Sequence, residues 1–240
     1  MAIWPVSLYI CGLTTFRLYK NQLFIDVGNT VVKWLFEGEY YSVLALDFNV
    51  GLLPKAEQIL VSCVGDKSLL EDLDKAVFVQ SPAQFGQFVS AYKAPQTLGV
   101  DRFLAMIASI DRYPDQTRLI IDAGSALTFD LVLAGGEHQG GLIMPGLGVL
   151  RRSFVQFSSD SKQLTLEKDA NNTKDAWEYG TAQMFMSVIN QQIESYLEQY
   201  GDLQIILTGG DAKIIAYRLK HLVDIKPHLV LDGLALYAQA

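Results

Sequence analysis

The stretch Leu23-Phe24-Ile25-Asp26-Val27-Gly28-Asn29-Thr30-Val31-Val32-Lys33 reads as a strand, a tight loop and a return strand. Apolar and β-branched residues flank an Asp, Gly and Asn run that supplies turn chemistry. Val31 to Phe36 continues the return strand and Tyr41 to Leu46 adds a third, so an antiparallel meander is expected. The same order recurs from Arg118, with a strand to Ile121, a loop at Asp122 to Ser125 and a return strand from Leu127 to Leu133. The two Asp-x-Gly-Asn/Ser loops start 96 residues apart (122 minus 26), a spacing that points to an old duplication. A third loop, Thr208-Gly209-Gly210-Asp211-Ala212, follows strand Gln204 to Leu207 and precedes a helix expected over Lys213 to Lys220. Each loop would sit where a sheet ends and backbone amides are free.

Between the loops, Ile59 to Cys63 and Ala76 to Val79 read as strands with a polar helical stretch, Asp66 to Lys75, between them. Arg102 to Arg112 has helical spacing and Pro114-Asp115 ends it. Gly135-Gly136 makes a turn, Gly140 to Pro145 closes another strand, and a helical pattern runs from Gly146 to about Phe157. Residues 158 to 172 are rich in Asn, Asp and Ser and read as a mobile loop. Thr173 to Tyr200 forms a long helix, and Leu229 to Ala240 a last one.

The chain has 240 residues, half of them apolar, enough for one large unit or two domains of roughly 100 residues. With a formal net charge of -7 it lacks the basic stripe of a nucleic-acid surface, so no nucleic-acid partner is expected. Two cysteines, Cys11 and Cys63, make neither a disulfide framework nor a metal-thiolate cluster, which fits a reducing, cytoplasmic setting. The apolar run Ile3 to Leu13 is too short to span a bilayer, and its basic residues, Arg17 and Lys20, follow it rather than precede it. Residues 1–22 are therefore read as an extension, with no membrane partner expected. The expected organisation is this extension, a lobe over 23–115 and a second lobe over 116–240.

The loops carry chemistry only together. In the first, Gly28 allows close backbone approach, Thr30 offers a hydroxyl, Lys33 can reach a phosphate oxygen, and Asp26 can orient Mg2+ or its waters. Taken singly this is also an ordinary hairpin turn. Asp122, Gly124, Ser125 and Thr128 repeat the equipment, and the glycines of the third loop let adenine and ribose lie flat on the backbone. No Gly-x-x-x-x-Gly-Lys-Ser/Thr motif is present. Gly99-Val100-Asp101-Arg102 places a carboxylate beside a guanidinium, a pair that can take a hydroxyl proton and hold an anionic or carbonyl group, or simply start a helix. His138, His221 and His228 lack ligand spacing and read as surface or packed residues. Phe85, Phe88 and Tyr92 have the spacing of a helical core stripe, with Tyr92 also close ahead of Gly99 to Arg102.

In this order the motifs resemble the type III pantothenate kinase family, of the acetate-kinase, sugar-kinase, Hsp70 and actin superfamily. The matching segments are Phe24 to Lys33, Tyr92 with Gly99 to Arg102, Asp122 to Ala126, Gly140-Gly141-Leu142-Ile143-Met144-Pro145-Gly146, Asn172-Thr173 and Thr208 to Ala212. They span residues 23 to 240, and the Gly-x-Asp-Arg and Gly-Gly-x-Ile-x-Pro-Gly segments discriminate best. The resemblance implies a mixed α/β fold of two ribonuclease H-like lobes facing across an ATP cleft. It implies phosphorylation of pantothenate by ATP, the first step of coenzyme A synthesis, with Asp101 as base. By the same resemblance Asp26, Val27, Gly28, Asn29, Thr30, Val31, Val32 and Lys33 would hold phosphates and Mg2+, with Asp26 reaching the Mg2+ through water. Asp122 would bind a monovalent cation, K+ or NH4+, and Ser125, Gly209 and Gly210 would contact ATP. Tyr92, Gly99, Val100, Asp101, Arg102 and Thr173 would form the pantothenate pocket, and a homodimer would meet around Thr173.

Ser125 stands where the family usually has Thr and keeps the hydroxyl. Residues 1–22 have no counterpart in most members. A non-catalytic regulatory homologue of the family, or another small-molecule kinase of the superfamily, is the alternative reading. Intact Asp26, Asp101 and Arg102 weigh against the first, and the Gly99 to Arg102 segment against the second.

Overall fold

The computed structural model describes residues 21–167 and 169–240, so residues 1–20 of the expected extension lie outside the described residues. Along the chain run β1 (Gln22–Val27), β2 (Val31–Phe36), β3 (Glu39–Leu44), β4 (Gln58–Cys63), β5 (Ala76–Phe78), β6 (Gln84–Phe85), β7 (Phe88–Val89) and α1 (Val100–Arg112). There follow β8 (Arg118–Ala123), β9 (Ala126–Val132), β10 (His138–Pro145), α2 (Leu147–Arg152), α3 (Thr173–Tyr200), β11 (Gln204–Thr208), α4 (Ala212–Ala216), β12 (Asp224–Ile225) and α5 (Leu229–Tyr237). Two compact units result. The first takes the described residues up to Ala83 with Tyr92–Ala108 and His228–Ala240, and the second takes Gln84–Ala91 and Ser109–Pro227.

In the first unit the sheet order is β3-β2-β1-β4-β5. The meander β1-β2-β3 is antiparallel, and β4 and β5 add on parallel to β1. As the central strand, β1 is buried from Leu23 to Val27. Its alternate residues Leu23, Ile25 and Val27 share a core with Val32, Trp34, Ile59 and Val61, and each such buried aliphatic side chain contributes about 2 kcal/mol. Alternation turns Phe24 and Asp26 to the opposite face. Helix α5 packs on β1 and β4, and its Gly233 lies so close to the Leu104 carbonyl that a side chain there would collide.

The second unit repeats that order as β10-β9-β8-β11-β12, again an antiparallel meander extended by parallel strands. Leu119, Ile121 and Ala123 of β8 pack with Leu127, Phe129 and Leu131 of β9 and with one stripe of α3: Ala182, Phe185, Met186, Ile189 and Ile193. That spacing is the apolar face of an amphipathic helix. The helix starts where Asn172 Oδ1 accepts the Asp175 amide at 3.0 Å, and stops at Gly201, whose φ of 77° no ordinary side chain favours.

Several expected elements differ. The helix expected over Asp66 to Lys75 is only a 3-10 turn at Lys67–Leu70, because Asp66 caps it with its side chain and the chain turns again at once. The helix expected from Gly146 to Phe157 stops at Arg152, with a separate 3-10 turn at Val155–Phe157, and that over Lys213 to Lys220 is the five-residue α4. Phe85 and Phe88 lie not on a helix but in the β6-β7 hairpin, and Tyr92 follows in a loop. Of residues 158 to 172, expected to be mobile, 158–167 have no regular structure but are tied down: Leu164 is buried in the second core, and Arg151 binds the carbonyls of Ser161 and Gln163. His138 is buried and pairs with Asp130 at 3.0 Å.

Candidate active site

Asp26 is the fifth residue of β1, on the face opposite that unit's apolar core, with Lys33 beside it on β2 and Ser62 beside it on β4. The Ser62 hydroxyl donates to Asp26 Oδ1 at 2.9 Å. Burial is the main influence on the Asp26 carboxyl and raises it to about 6; the Lys33 charge and the Ser62 hydrogen bond oppose this, and the Asp101 charge adds to it. Asp101 is thus close enough to act electrostatically on Asp26. The loop after β1 is fixed by its own backbone: Gly28 N–H donates to the Val31 carbonyl at 3.1 Å, and the amides of Val64 and Gly65 donate to the Val27 carbonyl at 3.1 and 3.0 Å. Gly65 abuts the Gly28 carbonyl, leaving no room for a side chain. Asn29 and Thr30 at the tip are exposed.

Asp101 sits half-buried in the first turn of α1, its Oδ1 accepting the Arg102 amide at 2.8 Å. The Arg102 side chain is buried, its Nη1 donates to the Tyr92 hydroxyl at 2.9 Å, and its guanidinium lies 5.8 Å from the Tyr92 ring centre. Upstream, the Ser81 hydroxyl holds the Leu98 carbonyl at 2.9 Å, fixing the approach to Gly99 and Val100. The first unit therefore brings together Asp26, Lys33, Tyr92, Asp101 and Arg102.

The second unit mirrors this arrangement with different chemistry. Asp122 is the fifth residue of β8, again opposite the apolar core, flanked by Thr128 on β9 and Thr208 on β11. The loop is closed by its own backbone and two further segments converge on it. Gly124 N–H donates to the Ala126 carbonyl at 2.9 Å, Gly146 N–H to the Ser125 carbonyl at 3.0 Å, and Asp211 N–H to the Ala123 carbonyl at 2.9 Å. Gly209, at φ 92°, lies against the Ala123 carbonyl and the Asp122 carboxylate, where any side chain would collide. Asp122, Ser125, Gly146 and Gly209 thus form one cluster, with Gly210 exposed at its edge. Thr173 is the exposed first residue of α3. Ser62, Arg151 and Lys162 were not read as site residues. Ser62 alone left a mark in the sequence, a hydroxyl closing the apolar run Ile59-Leu60-Val61.

Among the described residues no three His, Cys, Asp or Glu side chains could share a metal ion. A Mg2+ that travels with a nucleotide suits one carboxylate such as Asp26 acting through water, since this ion keeps most of its waters and takes phosphate oxygens. Asp122, with its carboxylate hemmed by Gly209 and next to loop carbonyls, offers the hard oxygen donors that a monovalent cation takes.

Residues 55–195 match the family profile described as type III pantothenate kinase. A type III pantothenate kinase of Teredinibacter turnerae is 33% identical, over 89% of this chain and 96% of its own length. Among solved structures, a Campylobacter jejuni protein described as a Baf family transcriptional activator superposes with a TM-score of 0.62 at 23% identity, covering 90% of this chain and 97% of that one. A Sinorhizobium meliloti protein described as a 2-dehydro-3-deoxygalactonokinase does so with a TM-score of 0.55 at 11% identity, over 91% and 98%. The paired sheets of like strand order give the chain the mixed α/β fold that these solved structures share. With the profile and a relative at this identity over most of its length, the chain belongs to the type III pantothenate kinase family.

Proposed function

We propose that this protein transfers the γ-phosphoryl group of ATP to the primary hydroxyl of pantothenate, giving 4'-phosphopantothenate in the first step of coenzyme A synthesis. The observation that carries the reading is the grouping of Asp101 and Arg102 at the start of α1 with Tyr92, and with Asp101 within electrostatic reach of Asp26. Asp101 accepts the hydroxyl proton as the oxygen bonds to the γ-phosphorus and the bond to the ADP oxygen breaks. Arg102, held by Tyr92, binds the pantothenate carboxylate. Lys33 and the amides of Asn29 and Thr30 take phosphate oxygens, with Gly28 allowing the close approach, and Ser125, Gly209 and Gly210 contact the nucleotide. Mg2+, when bound beside Asp26, neutralises charge on the phosphates, and K+ or NH4+ at Asp122 does so beside the second loop. Thr173 completes the pantothenate pocket in a homodimer.

Purified protein given ATP, Mg2+, K+ and pantothenate should release ADP and phosphopantothenate in equal amounts. ADP release that does not depend on pantothenate, or transfer to a sugar in its place, would reject this substrate.

A further inference from the structure

Helix α2 ends around Arg151, whose side chain is fully buried. Its guanidinium ties the irregular segment 159–167 to α3. Nη1 donates to the Ser161 carbonyl, Nη2 to the carbonyls of Gln163 at 2.8 Å and Glu178 at 3.0 Å, and Nε to Thr181 Oγ1 at 3.1 Å. From the other side Arg218 Nε donates to the Leu164 carbonyl at 3.3 Å. The segment is a strap laid beside α4, and between them runs a groove of about 670 Å3 lined by Lys162, Gln163, Thr165, Ile214, Tyr217 and Arg218.

One lining residue, Lys162, reaches the third loop. Lys162 Nζ meets Asp211 Oδ1 at 2.8 Å; the Asp211 side chain is 4% exposed and that of Lys162 66%. Asp211 is bonded through its amide to Ala123, and Gly209 rests on Asp122, so the Lys162–Asp211 pair links the strap to the Asp122–Ser125 cluster. A buried carboxylate without a partner is costly, and Asp211 beside Asp122 would repel a polyphosphate. The strap supplies the ammonium that answers both, and its exposed side remains open to a second anion. At this groove Tyr217 is 86% exposed, a ring face suited to a flat heteroaromatic base.

We propose that strap 159–167 and α4 form the nucleoside wall of the ATP site, with Lys162 screening Asp211 from the polyphosphate and Tyr217 stacking on the base. This rests on reading the Asp122–Ala126 and Thr208–Ala212 loops as nucleotide loops. Arg151 is then a positioning residue, acting through the strap.

Steady-state kinetics of Lys162→Met, Tyr217→Ala, Ser125→Ala and the Lys162→Met/Asp211→Asn pair test it. Lys162→Met should raise KM for ATP about tenfold, more at low salt than at high, with KM for pantothenate moving less than about twofold. Adding Asp211→Asn should return KM for ATP to within about threefold of the parent, because the repelling charge is gone. Tyr217→Ala should raise KM for ATP several-fold and narrow the preference for ATP over a pyrimidine triphosphate. If Lys162→Met and Tyr217→Ala lower the melting temperature yet leave KM for ATP in place while Ser125→Ala raises it, the strap is structural only and the proposal falls. If Ser125→Ala also leaves KM for ATP in place, the nucleotide reading of the loops falls first and the strap proposal with it.

Discussion

Ser62 on β4 hydrogen-bonds Asp26 on β1 at 2.9 Å across a parallel strand pair, and both side chains are buried. A carboxylate in that position is held against its own solvation preference. Its carboxyl titrates at about 6 rather than an ordinary 3.8, burial being the first cause. The folded chain therefore binds this proton more tightly than the unfolded chain does. The stability so gained is complete below 3.8 and is lost as pH rises through about 6. Asp26→Asn, neutral at every pH, should stabilise the nucleotide-free protein at pH 8 by about 1–3 kcal/mol, an advantage that shrinks towards pH 4. Melting curves of both proteins across that range check it. The same variant should lose most phosphoryl transfer, and a variant that is both active and no more stable would show that Asp26 carries no such strain.

Asp101→Asn tests the base. The amide keeps the size of the side chain and can still accept the Arg102 amide, so α1 and the Arg102–Tyr92 pair should survive. Because it cannot take up the hydroxyl proton, turnover should fall about 100- to 10,000-fold with ATP affinity within a few-fold of the parent. Full turnover would remove Asp101 from the chemistry.

Arg118 tests the second unit's sheet. It is fully buried at the first position of β8, donating to the carbonyls of Tyr113 at 2.9 Å, Leu133 at 2.8 Å and Ala134 at 3.5 Å. Burial pulls its guanidinium pKa below the usual arginine value, with Asp115 opposing. Arg118→Met fills the space but leaves loop carbonyls without donors, and should cost about 2–4 kcal/mol. Arg118→Lys should recover only part, since one ammonium cannot reach three carbonyls set around a planar fork. Equal melting temperatures for all three proteins would contradict the clamp.

What the sequence made legible follows a physical line. Strands β1, β2, β8 and β9 were readable because their apolar runs are interrupted by Asp-x-Gly loops, and both loops stand where the chain pattern puts them. The equal strand order of the two sheets bears out the spacing of those loops as a repeat. Short elements were less legible. Helix α4 was expected but runs shorter than its pattern, and strand β12 and the hairpin β6-β7, too short to show a period, were not read. Arg118, Arg151 and Lys162 were invisible for another reason: an isolated basic residue in a sequence reads as surface, and only the fold reveals carbonyls or a carboxylate gathered around it. The residues of the candidate site that did stand out, Asp26, Asp101, Asp122 and Gly209, are those whose role is local to a loop or a helix start.

Asp122 bears on the cation. Its carboxylate lies beside Gly209 and near the Ala123 carbonyl, where we place the proposed monovalent cation. Exchanging K+ for Na+ should raise KM for ATP in the parent, and Asp122→Asn should raise it to a similar level and abolish the difference between the two ions. Kinetics in matched chloride salts decide this, and a parent enzyme indifferent to the exchange would remove the cation from Asp122.

The aromatic residues around the start of α3 bear on assembly. Phe154, Phe157 and Trp177 form one cluster, with ring centres 5.0 Å apart for the two phenylalanines and 5.8 and 6.1 Å from them to the tryptophan. Phe154 is nonetheless 49% exposed and Val155 87% exposed. Clustered aromatics left in water are the composition of an interface core rather than of a solvated surface, and they lie at the end of α3 that carries Thr173. A second copy docking here would cover the cluster and bring the start of α3 into the contact. The protein at micromolar concentration should therefore run at twice the chain mass by light scattering. Phe154→Glu should shift it to the single-chain mass with its circular dichroism unchanged, because the ring packs only on neighbours at the surface. Since Thr173 sits at the same end of the helix, the monomeric variant should also show a higher KM for pantothenate. A parent protein that is monomeric at that concentration, or a Phe154→Glu variant that stays dimeric, would place any dimer contact elsewhere on the chain.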